Sequence, residues 1–261
     1  MFLGGLLSDV SAAAPLKVVS LDMCADQYAL GLLPPENLKG VSTRATHRDA
    51  YFRARATSVP QRRLSLETVL TLKPDAVIRS WGGDMKLLAG LEARGIKVIQ
   101  INEVSDFAQA GDEVARIGGL LGVPEAGRAQ RQKMQAALTG IGATGRGRSV
   151  LYYTPSAWSA GADTWVGKLF ETLGFRMAGG GAGYHYLSPE VFIRQTADIY
   201  ALGFYEDSYA MRRVPGRHPL VRKKLEAAQK AGRQIVLPSA VLACPAWYSA
   251  FELSDMAQKL K

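Results

Sequence analysis

The side chains with the means to do chemistry are aromatic, basic and sulfur-bearing, and they are not spaced as a catalytic set. Three histidines occur, His47, His185 and His218, and no Gly-x-Ser-x-Gly elbow accompanies them, which excludes a Ser-His-Asp hydrolase of that type. The run Gly179-Gly180-Gly181-Ala182-Gly183 fits no GxGxxG at a strand-to-helix turn and is followed by no Gly-Lys-Ser/Thr, so it is no phosphate cradle. Cys24 and Cys244 leave three readings open: a disulfide across a cleft, two free thiols, or metal coordination together with His185. The last lacks any close ligand spacing. Free thiols are the expected state, because the halves that carry the cysteines must admit a ligand. What remains is binding chemistry, with arginines to meet anionic groups and aromatic rings to stack on planar ones.

The elements that must position these groups repeat along the chain. Leu64-Ser65-Leu66-Glu67 leads to Asp75 and the apolar run Ala76-Val77-Ile78, while Leu187-Ser188-Pro189-Glu190 leads in the same register to Asp198 and Ile199-Tyr200-Ala201. In each copy a serine can cap a short helix, with a glutamate in its first turn, and Pro189 stands at the helical position that best tolerates proline. Further on, each copy continues into a helix, a glycine stop (Gly95, Gly232) and an apolar strand. Two similar α/β lobes with parallel sheets and a cleft between them are expected. Strands are expected at 16–21, 38–42, 75–79 and 96–101 in the first lobe, and at 149–153, 198–202 and 235–237 in the second. Helical spacing over 105–144, broken at Gly122-Val123-Pro124, predicts a helical bridge between the lobes. A final helix is expected from 246 to 260.

The chain has 261 residues, 48% of them hydrophobic and 21% charged, with a formal charge of +9. Such a balance describes a globular protein with ample core. Basic residues gather at Arg44, His47, Arg48, Arg53, Arg55, Arg62 and Arg63, and again from Arg212 to Lys224. No nucleic-acid motif or interleaved aromatic pattern goes with them, so no nucleic-acid partner is expected. An apolar start and the small residues Ser11-Ala12-Ala13-Ala14-Pro15 read as a signal-peptide remnant over 1–14, which implies export. The expected division is 15–104 for the first lobe, 105–146 for the bridge and 147–261 for the second lobe.

Val18-Val19-Ser20-Leu21, Leu66-Glu67-x-Val69-Leu70-x-Leu72-Lys73-Pro74-Asp75 and Gly95-Ile96-Lys97-Val98, in this order, resemble the periplasmic substrate-binding proteins of ABC importers for iron complexes and cobalamin. The resemblance runs from Lys17 onward. It implies two Rossmann-like lobes joined by a long bridging helix, little lobe motion on binding, no catalysis and no resident cofactor or metal. It also implies a monomer in the periplasm, delivering a metal chelate (a ferric siderophore, haem or cobalamin) to an ABC importer permease. Glu67 and Glu190 match the acidic residues, one per lobe, that such proteins present to permease arginines. An enzyme of similar two-lobed shape, such as a tetrapyrrole metal chelatase, is the alternative, and it needs a histidine with a carboxylate in the cleft.

Open α/β sheets bind ligands at the carboxyl ends of their strands. That rule selects Met23 and Cys24 after the first strand, Arg44 after the second, and Arg79 and Trp81 at the next. From the second lobe it selects Tyr153, Trp158, Tyr184, His185, Tyr186 and Trp247. Trp81 and Tyr184 fall close to positions where cobalamin-binding members place aromatic rings, whereas Gln61 stands where such members carry another.

Overall fold

The computed structural model describes residues 15–205 and 214–260. Residues 1–14, expected to be a signal-peptide remnant, and the basic pair Arg212 and Arg213 lie outside the described residues.

The first lobe alternates strand and helix: β1 (Val18–Ser20), α1 (Met23–Leu32), β2 (Leu38–Ser42), α2 (Arg53–Ala56), β3 (Gln61–Arg62), α3 (Leu66–Leu72), β4 (Ala76–Arg79), α4 (Met85–Glu92) and β5 (Lys97–Gln100). Its strands form one parallel sheet in the order β3-β2-β1-β4-β5. Two helices follow, α5 (Phe107–Leu120) and α6 (Pro124–Thr139). The second lobe contains β6 (Ser149–Tyr153), β7 (Trp158–Ala160), α7 (Trp165–Thr172), β8 (Arg176–Met177), β9 (Tyr184–Tyr186), α8 (Pro189–Arg194), β10 (Ile199–Gly203), α9 (Pro219–Lys230), β11 (Gln234–Leu237), α10 (Ser239–Ala243) and α11 (Ser249–Lys259). Its main sheet is parallel, in the order β11-β10-β6-β8, and β7 pairs antiparallel with β9.

The sequence repeat has a structural counterpart. The Ser65 hydroxyl accepts from the Thr68 amide at 3.2 Å to cap α3, and the Ser188 hydroxyl accepts from the Val191 amide at 3.4 Å to cap α8. At the base of each sheet an aspartate clamps the first strand of its lobe. Asp75 accepts from the Lys17 amide at 2.8 Å, and Asp198 from the Ser149 amide at 2.7 Å.

The connection differs from one long helix. Gly122, with φ of 79°, ends α5, and Pro124 opens α6 where its missing N–H costs nothing. Gly111 faces Met134, and Gly118 faces Gly127 so closely that a Cβ on Gly118 would lie 2.8 Å from the Gly127 Cα. The order of these pairs makes α5 and α6 an antiparallel hairpin. The final helix expected over 246–260 is α11, and a short helix not expected from sequence, α10, precedes it, ending at the extended Cys244 before Pro245. A residue before proline disfavours helical backbone, which accounts for the break.

One hydrophobic cluster spans both lobes, and a smaller one lies within each. The spanning cluster runs from Val18, Ile78 and Ile99 of the first sheet, through Ile117 and Met134 of the hairpin, to Val150 and Ile235 of the second sheet. Its aromatic part crosses from lobe to lobe: Tyr28 meets Trp247 edge-on at 4.8 Å, and Tyr51 stacks on Tyr248 at 4.6 Å. Such pairs add to simple burial and hold the lobes at a fixed angle.

Candidate functional site

A cavity of about 280 Å³ opens between the lobes at the carboxyl ends of both parallel sheets. The first lobe supplies Cys24, Tyr28, Ser80 and Trp81, the crossing segment supplies residues 101–105, and the second lobe supplies Trp165, Tyr184, Ala243, Cys244 and Pro245. Its walls are mostly aromatic and aliphatic with a few polar groups, the usual character of a small-molecule site.

The walls are held from behind by carboxylates, Asp22 half-buried and Asp26 and Glu113 buried. Asp22 caps α1 by accepting from the Ala25 amide at 3.0 Å, and its other contacts are the Ser80 amide and hydroxyl, both at 2.7 Å. One side chain thus fixes the start of α1 and the turn that carries Trp81. Asp26, fully buried, accepts from the Ser42 amide at 3.0 Å and from the Ser42 hydroxyl at 2.6 Å. Burial pushes its carboxyl up to about 6, against the lowering effect of those hydrogen bonds. Glu113 of α5 accepts from the Asn102 amide at 2.7 Å and pairs with Arg116, which anchors the crossing segment.

Trp81 is 77% exposed, at a turn where Gly82 and Gly83 both take positive φ, a conformation that a residue with a Cβ resists. Facing it from the other lobe is the β7–β9 ladder. Its register sets Trp158 opposite Tyr186 and Ala160 opposite Tyr184, so the three rings share one face of the ladder. All three are exposed, and Tyr184 reaches the cavity wall. His185 points to the other face. Its ring packs against Gly181, its Nδ1 lies 3.3 Å from the Gly183 carbonyl, and its Nε2 is buried with no hydrogen-bond partner.

Of the residues selected from sequence, Cys24, Trp81 and Tyr184 line the cavity. Trp158 and Tyr186 flank it on the same ladder face as Tyr184. Met23, Arg44, Arg79 and His185 do not line it: Arg44 lies in the exposed loop after β2, and Arg79 turns toward Gly83. Two selections need correction. Tyr153 is fully buried and stacks on Phe192 at 4.1 Å, inside the second lobe's own core. Trp247 is also fully buried, and its indole N–H donates to Gln130 Oε1 at 3.2 Å. Both sit at strand ends or loops as expected, but their rings turn inward, where large aromatic area is best hidden from water. The expectation of free thiols is overturned as well. Cys24 and Cys244 form a disulfide, which forms part of the cavity wall.

The strand-end rule also selects Ser80, which lines the cavity, but sequence reasoning passed over Glu103 and Tyr28. Glu103 follows the carboxyl end of β5, so the same strand-end rule carried one strand further selects it.

Residues 18–202 match the model of the periplasmic binding protein family. The chain belongs to that family. No curated protein matches the chain. Among solved structures, a periplasmic haem-binding protein of Vibrio cholerae is similar at 19% identity, with a TM-score of 0.74, 93% of this chain covered and 97% of that one. A periplasmic haem-binding protein from a Roseiflexus species shows 21% identity and a TM-score of 0.70, covering 95% of this chain and 98% of that one. A periplasmic vitamin B12 binding protein of Vibrio cholerae shows 17% identity and a TM-score of 0.67, covering 94% of this chain and 97% of that one. At these identities the likeness is one of fold, and it extends over both lobes of this periplasmic binding protein.

Glu67 and Glu190 are exposed, one on each lobe. Its own amide and the Ser65 hydroxyl hold the Glu67 carboxyl below the ordinary value. The Ser188 hydroxyl and its own amide do the same for Glu190, with His218 and Arg194 adding to the effect. Both are ionised at neutral pH.

Proposed function

We propose that this chain captures a metal chelate in the periplasm and hands it to an ABC importer. The observation that carries the reading is the interlobe cavity, with Trp81 of one lobe and Tyr184 of the other on its walls. Two rings offered from opposite lobes suit a flat or aryl-bearing ligand held between them, which ring stacking favours. The structural relatives described above, by their names, bind haem and vitamin B12. Among the described residues no histidine lines the cavity, so a chelatase, which needs a histidine and a carboxylate on the metal, has no support from this geometry.

In this reading the protein needs no cofactor or metal of its own, because the metal arrives within the ligand. Trp81, Tyr184, Trp158 and Tyr186 supply the ring contacts, and Cys24 supplies part of the wall. Glu67 and Glu190, on separate lobes, are the charges that set orientation on the permease, as paired charges do at other interfaces. The chain acts as an exported monomer. Absorption spectroscopy and native mass spectrometry of protein purified from the periplasm of its host test the reading. A Soret, corrin or ferric charge-transfer band, with a matching mass at one ligand per chain, supports it. A protein that emerges carrying a ligand without metal overturns it.

A further inference from the structure

The described lining of the cavity carries a charge opposite to that of the chain. The protein has a formal +9, yet among the described residues no arginine or lysine lines the interlobe cavity, and the one acidic residue on its wall is Glu103. Glu103 has no hydrogen bond or ion pair among the described residues. Of the nearby cations, Arg116 is paired with Glu113, and Arg79, next to Ser80 in the chain, is not on the lining. The remaining polar lining, Ser80, Asn102 and Ser105, is neutral, and Trp81 and Tyr184 offer ring faces.

From this arrangement we infer that Glu103 sets ligand specificity, and that the site takes a neutral or cationic chelate bearing N–H donors rather than a carboxylate- or catecholate-rich anion. The inference rests on the metal-chelate reading and narrows it. An amide or cationic group entering the cavity finds an acceptor in Glu103 and electron-rich ring faces in Trp81 and Tyr184. An anionic group there meets a like charge as water leaves, with no cation on the lining to offset the loss of hydration. A corrinoid, whose rim carries amides, fits. A haem with two propionates, or a ferric tricatecholate, does not.

Titration of the purified, disulfide-bonded protein with aquocyanocobinamide (cationic), cyanocobalamin (neutral), haemin and a ferric tricatecholate tests this. The corrinoids should bind at least tenfold more tightly than the two anions. Glu103→Gln should weaken aquocyanocobinamide about tenfold, the scale of one charge-assisted hydrogen bond, and Glu103→Lys should narrow the gap to haemin. Haemin or the ferric tricatecholate binding most tightly, with that order unchanged in Glu103→Gln, overturns the inference and leaves the metal-chelate reading standing. If none of the four binds, the inference falls, and the metal-chelate reading is decided by the spectrum and mass of the ligand that the protein carries from its host. Glu103 is exposed and unpaired, so its variants should unfold at the wild-type temperature, and the titration then reads binding alone.

Discussion

Cys24 at the start of α1 and Cys244 at the end of α10 are 220 positions apart in sequence and 5.5 Å apart between Cα atoms, so a disulfide ties the two lobes at the wall of the ligand cavity. Behind it lies the interlobe aromatic cluster of Tyr28, Tyr51, Phe52, Trp247 and Tyr248. Together with the α5–α6 hairpin, these contacts leave the lobes little freedom to close on a ligand. The site must therefore be largely formed before the ligand arrives.

The disulfide closes a very long loop, and such a cross-link acts largely on the unfolded chain. Replacing both cysteines by serine should cost about 3–5 kcal/mol of stability. Guanidinium unfolding of the double variant beside wild type measures this. An unchanged midpoint would mean that the aromatic cluster alone sets the interlobe stability.

Two tryptophans should behave in opposite ways. Trp247→Ala removes a fully buried ring from the interlobe cluster and should cost about 3–5 kcal/mol. Trp81→Ala removes an exposed ring and should leave the unfolding midpoint within about 0.5 kcal/mol of wild type. Thermal unfolding of the two variants side by side separates the core ring from the ligand ring.

Asp26 makes a pH prediction whose sign follows from burial. Its folded pKa of about 6 lies above the ordinary 3.8, so protonation favours the folded state. That stabilisation is full below about pH 4 and is lost as pH rises through 6, for a swing of order 3 kcal/mol, using about 1.4 kcal/mol per unit. Stability curves for wild type and Asp26→Asn between pH 4 and 7 should diverge over that window. Parallel curves would mean that another group carries the titration.

Exchanging both Glu67 and Glu190 for alanine should leave ligand affinity intact and abolish uptake, since both carboxylates are exposed and lie outside the cavity lining. A collapse of ligand binding in the double variant would place them in the site instead.

Much of the fold was legible in the sequence. The strands Leu38–Ser42 and Ser149–Tyr153 fall where they were expected, and the Ser65 and Ser188 caps mark both copies of the repeat. Those signals are local: apolar runs, capping residues and glycine stops. The site was legible only in part, because strand-end position says which residues are near a cleft but not which way a ring turns. Trp81 and Trp247 are the same residue type in comparable loops, and only tertiary packing sends one outward and the other into the core. The short β7–β9 ladder escaped, and the disulfide stayed only one of three readings, for a related reason. Pairings between short or distant segments leave no periodic trace in the chain.

The central claim is that ligand is held between Trp81 and Tyr184. Its most direct test is a binding titration of the Trp81→Ala/Tyr184→Ala double variant against wild type, with the metal chelate that wild type binds most tightly. The account predicts a loss of about a hundredfold, near 2.8 kcal/mol, with the unfolding midpoint unchanged. Wild-type affinity in the double variant would contradict it and would move the site out of the interlobe cavity.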